Sequence, residues 1–120
     1  MIKVDVTRDE QQQIRRIEAR GHAGYAPNGE DIICAAVTAV LTTCIAALTD
    51  LAGIEPLTTI HEGDIMLELP DPEPLSRQQQ AQAATIMSVA ALGCKQIEFS
   101  YGQRYVSVKD EQTQAQPSNR

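Results

Sequence analysis

Two residues of this chain have the types and the spacing for covalent chemistry. His22 and Cys34 stand twelve positions apart in Gly21-His22-Ala23-Gly24-Tyr25-Ala26-Pro27-Asn28-Gly29-Glu30-Asp31-Ile32-Ile33-Cys34. An imidazole and a thiol are the minimum equipment for nucleophilic hydrolysis of an amide or ester: the base takes the thiol proton and the sulfur attacks the carbonyl. The segment between them is dense in turn formers (Gly24, Pro27, Asn28, Gly29), and its Asn-Gly pair tolerates positive φ. An irregular loop of this length in a small domain is usually functional or mobile.

Placement distinguishes Cys34 from the chain's two other cysteines. Asp31 is a good N-cap for the apolar run that follows, which puts Cys34 at the third helical position. Unpaired amides and the helix dipole favour an anion there, by about 0.3–1 kcal/mol when exposed and up to ~2 kcal/mol when partly buried. A thiolate is therefore expected to be helped by position. The same amides, that of Cys34 included, are expected to hold the oxyanion of a tetrahedral intermediate. Ala35 and Ala36 are small enough to let a substrate backbone approach. Cys44, mid-helix in an apolar run, and Cys94, after Gly93, read instead as small buried hydrophobes. His61 falls in a hairpin turn and reads as a solvated turn residue. No Cys/His spacing is ligand-like, so neither a metal nor a cofactor is expected.

The elements that must position this pair follow from periodicity. Ile2 to Val6 alternates as a half-buried strand. Ile14 to Ala19 returns as a second strand, with a short helix as the alternative. From Ile32 to Leu51 one helix is apolar on nearly every face and should be central, with Gly53 ending it. Ile54–Ile60 and Ile65–Leu69 read as strands around the turn His61-Glu62-Gly63-Asp64. Ser76 with Gln79 resembles a capping box and opens a second helix to about Phe99, although Gly93 weakens its later turns. Gly102 breaks it at the latest, and Tyr105 to Val108 alternates as a last strand. The order β, β, helix, β, β, helix, β predicts an α+β domain, two helices packed on a mostly antiparallel sheet of about five strands. One domain spans residues 1–109, and the polar stretch 110–120 is expected to be a flexible tail.

Composition narrows the function. The 120 residues are 42% hydrophobic but only 3% aromatic, so the core is aliphatic. A net charge of −6 disfavours direct nucleic-acid binding, which needs basic patches. Three cysteines without a CxxC pair suggest reduced thiols in a cytoplasm. No signal peptide is visible, and the apolar stretch from Ile32 to Leu57, broken by Asp50, falls short of a membrane span.

Gly21-His22-Ala23, the glycine-containing loop and Asp31-Ile32-Ile33-Cys34-Ala35-Ala36-Val37 together resemble the signature of the ribosomal-processing cysteine protease family (Prp). The resemblance extends over nearly the whole chain up to the polar tail. It implies a cytoplasmic bacterial homodimer in which Cys34 is the nucleophile and His22 the general base. It also implies removal of a short N-terminal extension from the precursor of a large-subunit ribosomal protein, number twenty-seven, cut beside aromatic residues. Residues 23–30 would then close over the substrate, with Gly21, Ala23, Gly24, Tyr25 and Gly29 forming the substrate loop. The family often has Ser four residues after the Cys; here Thr38 supplies a hydroxyl at that place. Asp31 either only caps the helix or also orients His22, and the residues alone leave both open. Two rivals remain. A non-enzymatic ribosomal-protein binding or assembly factor would need no nucleophile. A thiol-redox role would need a resolving thiol, and Cys44 lies about 15 Å along the helix.

Overall fold

A computed structural model of the protein describes residues 1–24 and 31–111, the side chain of Glu111 excepted. The elements are β1 (Ile2–Arg8), β2 (Ile14–Gly21), α1 (Ile32–Asp50), β3 (Leu57–His61), β4 (Asp64–Glu68), α2 (Arg77–Tyr101) and β5 (Val106–Glu111). The five strands form one sheet in the order β3-β4-β2-β1-β5. Only the β1–β5 pair is parallel; the other neighbours are antiparallel. The α+β class with two helices on a mostly antiparallel sheet is thus observed.

Period-two burial gives the sheet one apolar face. Ile2, Val4 and Val6 of β1 and Ile17 and Ala19 of β2 are buried, while Lys3, Asp5, Arg16, Glu18 and Arg20 project from the other face. That outer face carries the ion pairs Arg16–Glu18, Arg16–Glu68 and Arg20–Asp5. From α1, Ile33, Val37, Leu41, Cys44 and Leu48 enter the core, and from α2, Ala83, Met87, Ala90, Ala91 and Cys94. Each fully buried Ile or Leu contributes about 1.5–3 kcal/mol. By length and composition α1 could cross a membrane; here that apolarity is explained in part by its core stripe.

The observed boundaries depart from the expected ones for local reasons. β3 starts at Leu57, not Ile54, because the Ile54 N–H is tied back to the Leu48 carbonyl at 2.8 Å and Pro56 has no N–H to give. α2 runs through Gly93 to Tyr101. A methyl at position 93 would lie 2.7 Å from Val40 Cγ1, so this glycine allows a close approach of α1 and α2 and is not a weak point in the helix. The expected capping box is present: Ser76 Oγ accepts from the Gln79 N–H, and the Gln79 side chain accepts from the Ser76 N–H, both at 3.0 Å. β5 continues past 109 to Glu111, because the Asp110 carboxylate receives Arg8 through two nitrogens (2.8 and 2.9 Å) and Lys95 Nζ at 2.7 Å. The rest of the expected tail, 112–120, and the expected loop residues 25–30 lie outside the described residues.

Candidate active site

Cys34 lies in the first turn of α1. Asp31 is the N-cap, with extended backbone, and its Oδ1 accepts the N–H groups of Ile33 at 3.0 Å and Cys34 at 3.1 Å. The Ala35 N–H closes the first helical turn onto the Asp31 carbonyl at 3.1 Å. Asp31 thus caps the helix as its position in the sequence suggested, and Cys34 occupies the third helical position. The cap has a consequence that spacing did not reveal. The Cys34 N–H is committed to Asp31, so the expected oxyanion donor is occupied in this state.

The expectation of a position-favoured thiolate is also corrected. The Cys34 thiol is pushed above its ordinary range, first by burial and further by the Asp31 carboxylate, as hydrogen-bond partner and as negative charge. Against these stands the Ala23 N–H, which donates to Cys34 Sγ at 3.3 Å and favours the anion. A carboxylate at the helix N-terminus offsets the dipole that was expected to activate the sulfur. Cys44 and Cys94 are buried, as expected for core thiols. Burial pushes the Cys94 thiol up to about 12 and raises that of Cys44.

His22 is carried by the end of β2. Gly21 has φ +104, and any Cβ there would stand 2.4 Å from the Met1 carbonyl oxygen, so only glycine fits. Its N–H donates to the Gly63 carbonyl at 2.9 Å, which ties the β2 terminus to the β3–β4 hairpin. The exposed His22 ring then rests against that hairpin: a Cβ on Gly63 would lie 3.1 Å from His22 Nε2. Ala23 turns inward and is 4% exposed, part of the core. The chain therefore presents the imidazole outward and anchors the next residue beneath Cys34.

A cavity of about 680 Å³ joins these groups. Gly21, His22, Gly24, Asp31 and Cys34 line it, with Ala35, Thr38 and Ala39 from α1 and Ile60 to Ile65 from the hairpin. Thr38 thus faces the same space as Cys34. Of the expected substrate loop, Gly21, Ala23 and Gly24 are placed at the site, while Tyr25 and Gly29 lie outside the described residues. The hairpin is what sequence reasoning missed. Ile60, His61, Glu62 and Asp64 form a wall of the cavity, although His61 read as a bare turn residue. The pairing of β4 with β2 brings them there, and the sequence pattern did not specify it. Among the described residues no group of three or more His, Cys, Asp or Glu side chains is arranged to hold a metal ion.

Known proteins resemble this chain in sequence and in fold. The family model for the cysteine protease Prp matches residues 1–107. Over 101 residues the chain is 33% identical to the ribosomal processing cysteine protease Prp of Bacillus subtilis (strain 168), spanning 84% of this chain and 90% of that protein. The fold matches that of an essential ribosomal processing protease Prp from S. aureus, solved with a covalently linked product peptide. That match has a TM-score of 0.80 at 23% identity, over 92% of this chain and 100% of the other. The same S. aureus protein with a substrate peptide matches with a TM-score of 0.76 at 22% identity, over the same shares.

Proposed function

The chain belongs to the cysteine protease Prp family, and from that premise we propose that it removes the N-terminal extension from the precursor of large-subunit ribosomal protein number twenty-seven, with Cys34 as nucleophile and His22 as general base. The observation that carries the reading is the shared cavity: His22 and Cys34 both line it, and the amide next to His22 touches the sulfur. Burial and Asp31 hold the resting thiol above its ordinary range. In this reading His22 takes the thiol proton as the sulfur attacks. The S–C bond forms while the carbonyl π pair moves to oxygen. Collapse of that intermediate breaks the C–N bond, and His22 returns the proton to the leaving amine. Water then hydrolyses the thioester.

Ile60, 55% exposed, and the buried Ile65 add apolar surface to the cavity that suits an aromatic side chain beside the cut. Free thiols at all three cysteines suit a cytoplasmic setting. A homodimer is supported by Val89, Leu92 and Phe99, which share one face of α2 and are exposed, Phe99 to 91%. Sedimentation of the protein and of Phe99→Glu tests the dimer. Incubating the protein with extended and already trimmed precursor tests the activity: the extended form should shorten and the trimmed form should not. Cleavage that survives Cys34→Ala would sink the assignment.

A further inference from the structure

An acyl transfer at Cys34 needs a donor where negative charge develops, and three amides of the first turn of α1 are already engaged. The Ile33 and Cys34 N–H groups are both spent on Asp31 Oδ1, and the Ala35 N–H is spent on the Asp31 carbonyl. Among the described residues, the backbone amide bonded to the reacting atom is Ala23 N–H, 3.3 Å from Cys34 Sγ. This amide is held on two sides. Its own methyl is packed in the core, and two residues earlier Gly21 is bonded to Gly63. A donor fixed in this way costs no reorganisation when charge appears.

We propose that the Ala23 backbone N–H is a catalytic group, which stabilises the charge first on Cys34 Sγ and then on the oxyanion. The inference rests on Cys34 being the nucleophile. As His22 takes the thiol proton, the electron pair left on sulfur faces the Ala23 N–H. The sulfur then bonds the scissile carbon, and the carbonyl π pair moves to an oxygen two bonds from Sγ. The N–H, held facing the sulfur, stands beside that oxygen as well. The same amide lowers the cost of ionising the thiol, in opposition to burial and Asp31. The arrangement also gives Ala23 a reason to be anchored: its side chain holds the backbone that does the work.

The test replaces residue 23 by lactic acid, the α-hydroxy analogue of alanine, so that an ester stands where the N–H was and the methyl is kept. Loss of one oxyanion donor lowers kcat by about a hundredfold. We expect that loss with KM nearly unchanged, together with an upward shift in the pH midpoint for alkylation of Cys34 by iodoacetamide. A kcat and a midpoint both equal to those of the parent would overturn the proposal. Because the ester variant can fail to fold, a second measurement uses the intact protein. Labelled protein is treated with a peptide aldehyde, which forms a hemithioacetal on a nucleophilic cysteine. The largest downfield amide-proton shift should fall at Ala23; the same shift at Cys34 instead would refute the assignment. Absence of any adduct, or an adduct that survives Cys34→Ala, would count against the nucleophile itself and so separates the two readings.

Discussion

Replacing Gly63 by alanine tests whether the hairpin seats the His22 imidazole, the proposed general base. The new methyl would lie 3.1 Å from His22 Nε2, where an ordinary contact is 3.4–4 Å, so the ring must give by a few tenths of an ångström. Gly63 also has φ +80, and an L-residue in the left-handed region costs about 1–2 kcal/mol. For a domain of this size, with an unfolding entropy of about 0.25 kcal/mol per kelvin, that lowers Tm by about 4–8 °C. The effect on catalysis is separate. A reacting group misplaced by a fraction of an ångström should lose roughly 10- to 100-fold in kcat/KM, or about 1.4–2.7 kcal/mol of transition-state stabilisation. Gly53→Ala is the control: φ is +67, and the nearest group, Gln79 Nε2, is 3.7 Å away, so it has a similar backbone cost with no contact to His22. Peptide cleavage and thermal melts on both variants, assayed well below either Tm, separate the two effects. Full activity in Gly63→Ala despite the lowered Tm would mean that His22 works from some place other than the hairpin.

Other consequences can be checked alongside. Asp31→Asn keeps a good cap and removes the charge that raises the thiol, so Cys34 should be alkylated at lower pH than in the parent. Asp31→Ala loses the cap as well and should cost about 1 kcal/mol in a thermal melt; equal activity losses in the two variants would instead give Asp31 a charge-dependent role. Asp110 is held down to about 2 from 3.8, first by its hydrogen bond with Arg8 and then by Lys95. Its contribution is therefore complete above about pH 4 and disappears as pH falls from about 4 to 2. Asp110→Asn should cost about 1–2 kcal/mol at pH 7, and its Tm deficit should shrink over that acid window. Gly93→Ala should destabilise the protein by overpacking against Val40, about 1–3 kcal/mol less about 1 kcal/mol of helix propensity, whereas in a Val40→Ala background it should stabilise.

The element order, the α+β class and the placing of Cys34 in the first turn of a helix were legible in the residues, because each rests on local physics. Alternation wrote β1, the apolar run wrote α1, and Ser76 with Gln79 wrote the start of α2. Asp31, three residues before Cys34, already fixed the sulfur at the mouth of a helix. What no local pattern held was decided by packing between distant segments. Glycine at 93 read as weakness in α2 and is a close approach to Val40. His61 read as a solvated turn residue and stands in the cavity wall, because β4 pairs with β2 and brings the hairpin against His22. The state of the sulfur was likewise a tertiary matter. Helix placement alone favours a thiolate, but burial and the Asp31 carboxylate oppose it, and the amide that favours it comes from Ala23, eleven residues away. Charge at a site is set by all the groups that fold around it, and a sequence pattern names only those on one element.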